Sequence, residues 1–378
     1  MKSHLPLSLV LYLSICVAPA PGVEPGTLTQ YLKKGDAELA KKNYVGAESY
    51  YHLAVRAEPK SAEAHLARAE SLYKLGKLAF ADREVSLAIG INPRLAKAYY
   101  IRCLIFESKK KYKDVIREAS RAISLDPKMA DAYIRRARAI YTLADFSSDH
   151  SQGMALADLK KAVSIDPKNT DGYYYMGVLY MGEDRFKEAI TYLSKAIAMT
   201  PKDFRLYRYR AMAYSGLKQE DKALADLTMA IKVNPGSGPL YKARGSFYEA
   251  KGRLKEARAD YSRSIELEPR DFRLFFLRGG IASRLNDHRA AVADYTRVIQ
   301  ANGFDDDAFK KRGDEYFVLG KYKEAVADYT EAIGLNAKLG AYFEARARAY
   351  EKLGDLEKAK VDRKMAGKLF KAPAVKKI

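Results

Sequence analysis

The sequence predicts an all-α protein, a stack of antiparallel helix hairpins, and three regularities of the chain support this. Prolines recur every 34 residues, with one interval of 40, at Pro59, Pro93, Pro127, Pro167, Pro201, Pro235 and Pro269. Apolar residues between the prolines follow the helical period, and one small residue recurs where two helix axes must approach closely. A hairpin of this size cannot bury its apolar faces alone, so neighbouring repeats must stack into one elongated array.

The hairpin is clearest in residues 306–339. The apolar residues of its first half share one face of a helix, and those of its second half share one face of another. Gly320 lies between the two helices, at a position where a helix ends and positive φ is favoured. Each proline ends the second helix of its repeat, because proline donates no backbone hydrogen bond and restricts the residue before it.

Ten repeats align when the proline is placed at position 32. Position 4 is aromatic in nine repeats and histidine in one: Tyr31, His65, Tyr99, Tyr133, Tyr173, Tyr207, Tyr241, Phe275, Phe309 and Phe343. Position 8 is always small: Gly35, Ala69, Cys103, Ala137, Gly177, Ala211, Gly245, Gly279, Gly313 and Ala347. This pattern resembles the tetratricopeptide repeat over nearly the whole chain. The resemblance implies a right-handed superhelical solenoid in which the first helix of each repeat lines a concave groove.

The N-terminal segment, residues 1–20, has the layout of a secretory signal peptide. An apolar run at 5–17 follows a basic start, and Ala-Pro-Ala at 18–20 matches a cleavage site. The segment around Cys16 also resembles a lipobox, so lipidation there and an uncleaved anchor are alternatives to cleavage. Residues 21–27 form a linker rich in proline and glycine. These features predict export to the periplasm or cell envelope.

The rest of the chain consists of the repeats and a short tail at 374–378. The repeats are 28–61, 62–95, 96–129, 130–169, 170–203, 204–237, 238–271, 272–305, 306–339 and 340–373. The fourth repeat carries a six-residue insertion, which lengthens the turn between its helices around residues 145–153. Such an insertion is either a loop that contacts a partner or a tolerated surface change.

A charge pattern also runs through the repeats, in which position 7 is arginine wherever position 23 is acidic. The pairs are Arg68 and Glu84, Arg102 and Glu118, Arg136 and Asp158, Arg210 and Asp226, Arg244 and Asp260, Arg278 and Asp294, Arg312 and Asp328, and Arg346 and Asp362. The two remaining repeats lack both members, with Lys34 and Tyr50 in one and Met176 and Tyr192 in the other. We therefore predict an arginine–carboxylate pair bridging the two helices of each such hairpin, in the bidentate geometry that these groups allow.

The overall composition predicts an acidic partner. Lysine and arginine number 67 against 47 aspartate and glutamate, a formal net charge of +20. Such an excess favours an acidic protein, an anionic lipid surface, a polyanionic envelope polymer or nucleic acid, although a merely solvated basic surface is the alternative. The two cysteines, Cys16 and Cys103, suggest no disulfide framework.

No catalytic constellation is recognisable. The five histidines lie in separate repeats or in the leader, and none has the i, i+4 spacing or the cysteine partners of a zinc site. Phosphate-binding glycine loops and nucleophile elbows are absent from the sequence. The sequence thus predicts a protein that is not an enzyme and that has no catalytic residue, cofactor or metal.

The candidate binding residues follow from the resemblance, by which positions 2, 5, 6, 9, 12 and 13 of the first helices face the groove. In repeats 4–8 these positions include Arg135, Arg138, Tyr141, Tyr174, Tyr175, Arg205, Arg208, Tyr209, Lys242, Arg273 and Phe276. Cations beside aromatic rings suit an extended acidic peptide, whereas simple solvation of the groove is the alternative.

The sequence therefore predicts a protein–protein interaction scaffold of the cell envelope, with a protein or acidic peptide as partner. One alternative is a nucleic-acid-binding module, which the charge and the Arg/Tyr groove favour. The other is an intracellular co-chaperone or adaptor. The lysine–asparagine clamp of such co-chaperones is not present, because Lys242 and Lys310 are followed by Ser246 and Asp314 at the asparagine position.

Overall fold

The computed structural model describes residues 27–143 and 149–371, and within these ranges all regular secondary structure is α-helical, with no β-strand. The predicted signal peptide with Cys16, the linker up to residue 26 and the tail at 374–378 lie outside the described residues. The chain divides into two compact units, Met1–Asn169 and Thr170–Ile378, here called unit 1 and unit 2.

In the described part of unit 1, consecutive helices pack as antiparallel hairpins, and the first helices of neighbouring hairpins also touch. The helices are α1 (Leu28–Ala40), α2 (Tyr44–Ala57), α3 (Ala62–Lys74), α4 (Leu78–Ile91), α5 (Ala96–Ser108), α6 (Tyr112–Leu125), α7 (Ala130–Leu143) and α8 (Asp149–Ile165). Part of the insertion of the fourth repeat is helical, since α8 has 17 residues where α6 has 14.

Unit 2 continues the same pattern of hairpins. Its helices are α9 (Thr170–Gly182), α10 (Phe186–Met199), α11 (Phe204–Gly216), α12 (Glu220–Val233), α13 (Gly238–Ala250), α14 (Leu254–Leu267), α15 (Phe272–Arg284), α16 (His288–Ala301), α17 (Asp306–Val318), α18 (Tyr322–Leu335), α19 (Gly340–Lys352) and α20 (Leu356–Lys371). The predicted all-α fold of helix hairpins is confirmed.

The tight turn inside a hairpin requires one residue with positive φ. Glycine supplies it in four hairpins, at Gly76, Gly252, Gly320 and Gly354, and the prediction for Gly320 is confirmed with φ of 74°. Other residues occupy the same place in five hairpins: Lys42, Lys110, Asp184, Lys218 and Asn286. A residue with a Cβ atom adopts this conformation at a cost, so these five turns are less favourable locally than the glycine turns.

Within each hairpin, the small residue at position 8 makes room for the residue at position 24. A Cβ atom on Gly313 would lie 2.8 Å from Tyr329 Cε1, and one on Gly245 would lie 2.9 Å from Tyr261 Cε1. Both tyrosines are almost fully buried. Where leucine replaces this tyrosine, as in the hairpin of α11 and α12, position 8 can be alanine. The two helices therefore touch through a small residue and a large one, as close packing of their axes demands.

All eight predicted arginine–carboxylate pairs form. The six that involve aspartate are bidentate, with Arg Nε and Nη2 each donating to one carboxylate oxygen at 2.7 to 2.9 Å. The two that involve glutamate differ, because a neighbour takes the second oxygen. His65 Nδ1 lies 2.6 Å from Glu84 Oε2, and Arg117 Nε donates to Glu118 Oε1 at 2.9 Å.

The six bidentate arginines also link each hairpin to the one before it. Their Nη1 atoms donate to a hydroxyl at position 25 of the preceding repeat: Ser120, Ser194, Thr228, Ser262, Thr296 and Thr330. The hairpin of α9 and α10, which lacks the pair, fills the space with tyrosines instead. The Tyr192 ring stacks on Tyr180 at 5.4 Å and on Tyr173 at 6.5 Å between ring centroids.

Candidate functional site

The candidate binding residues all lie on first helices of hairpins, and we call positions 2, 5, 6, 9, 12 and 13 of these helices the first-helix face. The structure places Arg135, Arg138 and Tyr141 on α7 of unit 1. The other eight candidates lie in unit 2, on α9, α11, α13 and α15.

In unit 1 the two candidate arginines share one carboxylate that the sequence analysis did not single out. Arg135 Nη1 lies 3.3 Å from Glu107 Oε2, and Arg138 Nη1 lies 3.4 Å from Glu107 Oε1. The Glu107 side chain is only 11% exposed. Glu107 offsets part of the positive charge of both arginines. Because Glu107 lies on α5 and the arginines lie on α7, these ion pairs also hold the two helices together.

In unit 2 five candidates form one cluster on α9 and α11, here called the tyrosine–arginine cluster: Tyr174, Tyr175, Arg205, Arg208 and Tyr209. Tyr174 packs edge to face on Tyr209 at 5.5 Å and contacts Tyr175 at 4.8 Å between ring centroids. The guanidinium of Arg205 lies 5.1 Å from the Tyr174 ring centre, and that of Arg208 lies 5.1 Å from the Tyr209 ring centre. The structure thus brings cations and aromatic rings into contact, as a cation–π arrangement requires.

The two arginines of the cluster differ in how their charge is satisfied. Arg205 Nη2 donates to Asp203 Oδ2 at 2.6 Å, and this hydrogen bond raises the pKa of Arg205. Arg208 has no comparable partner, and its buried Nε–H finds no acceptor among the residues that the structure describes. Burial, followed by the neighbouring Tyr209, raises the pKa of Tyr174, so that ring stays neutral. Arg208 is consequently the cation of the cluster that is best placed to receive an external anion.

The remaining three candidates lie apart from the cluster. Lys242 Nζ donates to Asp271 Oδ2 at 2.8 Å, so its charge is already paired. Arg273 and Phe276 line a surface pocket of about 420 Å³, whose rim also carries Asp305 and Asp307. This pocket presents both signs of charge, whereas the sequence predicted a groove of cations and aromatic rings.

The sequence analysis missed a pocket of about 440 Å³ on the first-helix face of α17 and α19. Its lining comprises Lys310, Asp314, Phe317, Val318, Tyr329, Ala341, Glu344, Ala345, Arg348 and Phe370. Eight of these residues occupy the same six repeat positions as the candidates of repeats 4–8, so extending the alignment to repeats 9 and 10 could have found them. Phe370, from the end of α20, has no counterpart in the other hairpins.

Two further properties concern the described residues as a whole. Among them, no three histidine, cysteine, aspartate or glutamate side chains converge in a way that could hold a metal ion. None of the described helices has the length and hydropathy needed to cross a bilayer.

The stacked hairpins and their first-helix face define a helical-repeat protein. The chain belongs to the tetratricopeptide repeat family, because one tetratricopeptide repeat model matches residues 154–213 and a second matches residues 32–81, 242–306 and 310–364. Together these matches cover more than half of the chain. Members of the family are protein–protein interaction modules, and neither the family match nor the part of the chain that the structure describes indicates a catalytic activity.

Solved structures share the fold at low sequence identity. A tetratricopeptide repeat protein from Parabacteroides merdae is 17% identical, with a TM-score of 0.50 over 66% of this chain and 97% of that chain. Pseudomonas aeruginosa pilF is 17% identical, with a TM-score of 0.48 over 55% of this chain and 92% of that one. YrrB, described as a TPR protein with an unusual peptide-binding site, is 19% identical, with a TM-score of 0.41 over 49% and 92%. No curated protein sequence matches the chain.

Proposed function

We propose that this protein is a non-enzymatic scaffold of the cell envelope that binds an extended acidic segment of a partner protein through the tyrosine–arginine cluster. Membership of the family supports protein–protein recognition, and the residues of the cluster support an acidic partner. Arg208 and Arg205 supply positive charge, while Tyr174, Tyr175 and Tyr209 supply flat surfaces against which peptide groups can pack.

The observation that carries this proposal is that the buried Nε–H group of Arg208 has no hydrogen-bond acceptor among the described residues. A buried N–H group without an acceptor costs free energy, because it has lost water and gained nothing in return. A carboxylate from a partner, placed against the accessible part of the Arg208 guanidinium, would give this cation a charge-assisted hydrogen bond that the described residues do not provide. Two other candidate cations of unit 2, Arg205 and Lys242, already have carboxylate partners, so an incoming anion has less to gain from them.

A co-chaperone clamp would use the lysines at position 5, Lys242 and Lys310. Their contacts argue against a chaperone's C-terminal tail as the partner. Lys242 pairs with Asp271, and Lys310 Nζ donates to Asp314 Oδ2 at 2.6 Å. Since both ammonium groups are engaged, a terminal carboxylate would have to displace an internal ion pair to bind there. This favours an internal acidic segment at the cluster over the chaperone-tail alternative.

The test is selection from a random-peptide library, followed by affinity measurements on the selected peptides. We expect the selected peptides to be acidic and to bind Arg208→Gln about tenfold or more weakly than the unmodified protein, because a desolvated charge pair is lost. Arg289→Gln is the matched control, since Arg289 is an exposed arginine on a second helix, α16. Selection of basic or neutral peptides, or equal losses in both variants, would contradict the proposal.

The envelope location is a separate part of the proposal and rests on the sequence of residues 1–20. Mass spectrometry of the mature protein from its native host tests it. An N-terminus after Ala20, or a lipid on Cys16, supports export, whereas recovery in the cytosol with residues 1–20 intact refutes it.

A further inference from the structure

The hairpin turns of the first three repeats carry a concentration of exposed lysine in unit 1, here called the lysine edge. Its members are Lys41, Lys42, Lys74, Lys77, Lys109, Lys110, Lys111 and Lys113, and all eight are exposed. Neighbouring first helices contact each other, so the turns that follow α1, α3 and α5 lie at the same end of their hairpins. A direct contact confirms this, because Lys109 Nζ donates to Asp82 Oδ2, in the first turns of α4, at 3.1 Å.

The positive charge of the lysine edge is largely unbalanced. Lys41 pairs with Glu38 and Lys109 pairs with Asp82, but the other six lysines form no ion pair with any residue that the structure describes. The stretches 41–42, 74–77 and 109–113 contain no acidic residue, and Asp114, which follows Lys113 on α6, is paired with Arg117. Lysines held this close at one edge without counter-charges produce a local positive potential that attracts an anionic surface.

The charge is not a general property of these turns. In four of the six hairpin turns of unit 2, acidic residues accompany the basic ones: Glu183, Asp184, Glu220, Asp221, Asp287 and Asp355. The turns between α13 and α14 and between α17 and α18 carry basic residues alone. Several of the basic residues there are paired, for example Lys251, whose Nζ lies 2.9 Å from Asp221 Oδ1. Among the described turns, three consecutive ones without an acidic residue therefore occur only in unit 1.

Two exposed apolar side chains accompany the lysines. Val45 is 65% exposed and Phe80 is 63% exposed. They lie in the first turns of α2 and α4, directly after the turns that hold Lys42 and Lys77. Exposed apolar groups that follow exposed lysines along the chain suit the boundary of a bilayer, where acyl chains begin just beneath the anionic headgroups.

We propose that the lysine edge docks on the surface of an anionic lipid bilayer. The lysine ammonium groups lie against the headgroup phosphates, and Phe80 and Val45 enter the interfacial layer. A nucleic acid would also attract the lysines, but it gives an aliphatic side chain such as Val45 nothing to insert into. This surface is in unit 1 and the tyrosine–arginine cluster is in unit 2, so either can fail without the other.

The experiment is co-sedimentation of the full chain with vesicles of phosphatidylcholine, with or without phosphatidylglycerol. We expect binding only to the vesicles that contain phosphatidylglycerol, and we expect added salt to weaken it. Lys42→Gly/Lys110→Gly should lower the partition coefficient about 25-fold, since each lysine near an anionic surface contributes about fivefold. Both positions have positive φ, so glycine removes charge while preserving the turns.

Lys218→Gly/Lys321→Gln is the matched control, because it removes the same charge from two hairpin turns of unit 2, one of them at positive φ. This control should bind vesicles like the unmodified protein. Phe80→Ser should weaken binding about tenfold through loss of apolar contact with the bilayer. All variants carry the same residues 1–26, so differences between them report on the turns.

Three results would overturn the proposal. The first is equal binding to vesicles with and without phosphatidylglycerol. The second is an equal loss of binding in the two double variants. The third is full vesicle binding by Lys42→Gly/Lys110→Gly together with loss of its binding to a DNA duplex, which would make the lysine edge a nucleic-acid surface. Circular dichroism of each variant verifies that the helices are retained.

Discussion

The guanidinium of Arg244 makes several kinds of contact at once. It forms two hydrogen bonds of 2.8 Å to Asp260 and a longer one of 3.4 Å to Thr228 of the preceding hairpin. Its central carbon also lies 5.8 Å and 5.6 Å from the ring centres of Tyr241 and Tyr248. One side chain thus joins the two helices of a hairpin, reaches the neighbouring hairpin and covers two aromatic rings.

Replacement of this arginine tests the pair. In Arg244→Leu the carboxylate of Asp260, which is 5% exposed, loses its counter-ion. We expect a loss of about 3 kcal/mol of stability in urea unfolding, because an unpaired buried charge costs more than the intact pair contributes. The second change in Arg244→Leu/Asp260→Leu should restore most of it.

Arg253→Leu serves as the control for that experiment, since Arg253 forms an exposed pair with Glu256. Its effect should stay below about 1 kcal/mol. Equal effects of Arg244→Leu and Arg253→Leu would show that burial of the carboxylate does not matter.

The thiol of Cys103 provides a second test at this scale. Burial, and then the nearby Glu107, raises the pKa of Cys103 to about 12. The folded thiol therefore keeps its proton to higher pH than an unfolded thiol, whose pKa is about 8.5. This contribution to stability is complete below about pH 8.5 and is lost as the pH rises towards 12.

In Cys16→Ser protein at pH 8, we expect iodoacetamide to label Cys103 only as fast as the chain unfolds. Urea should accelerate labelling in step with the loss of helix. Rapid labelling of the fully helical protein would contradict the predicted burial and protonation of this thiol.

At the residue scale, the sequence predicts what recurs within one hairpin. The eight arginine–carboxylate pairs could be inferred because both members appear and disappear together. The hydroxyls that receive the third bond, such as Ser194 for Arg210, could not, because they belong to the preceding hairpin. The pairing of Arg135 with Glu107 could not be predicted for the same reason, since it depends on how the first helices of two hairpins pack.

At the scale of elements, the two helices of a hairpin pack closely because a small residue at position 8 leaves room for a large side chain at position 24. In Gly313→Ala the new Cβ would lie 2.8 Å from Tyr329 Cε1, and the ring, almost fully buried, has little room to move. We expect a destabilisation of about 2 kcal/mol in thermal or urea unfolding, typical of an overpacked core.

A second substitution distinguishes overpacking from other effects of the methyl group. Gly313→Ala/Tyr329→Leu reproduces the alanine–leucine pair of α11 and α12 and should regain part of the lost stability. Gly334→Ala is the control, because nothing lies within 4 Å of a Cβ atom at Gly334. If Gly313→Ala were as stable as this control, the close approach of the two helices would be wrong.

At the scale of elements, the sequence predicts helices and turns well where the repeat is regular. The insertion of the fourth repeat shows the limit, because the sequence placed it in the turn while part of it extends α8. Extra residues at a helix start can join the helix or the loop, and the repeat pattern carries no information on which they do. Glycine marks only some of the turns, since lysine, aspartate and asparagine adopt the same positive φ in others.

For the whole molecule, the charge is distributed unevenly between two kinds of surface. The first-helix face of unit 2 combines aromatic rings with mostly paired cations, whereas the lysine edge of unit 1 leaves six lysines unpaired among the described residues. The net charge of +20 predicts that acidic partners exist but not where they bind. The position of a residue in the repeat predicts whether it lies on the first-helix face. Whether a cation there has a carboxylate partner depends on residues that are adjacent in the folded protein but distant in the sequence.

Site-directed photo-crosslinking tests the central claim, that a partner lies on the first-helix face of α9 and α11, most directly. A photoreactive benzoylphenylalanine replaces Tyr175 in one variant and Met229 in another, and each is irradiated with a peptide selected on the unmodified protein. Met229 is an exposed residue of the second helix α12. We predict strong cross-linking from position 175 that an excess of unlabelled peptide abolishes, and none from position 229. Cross-linking from position 229 alone, or none from position 175 under conditions where the peptide binds, would contradict the account.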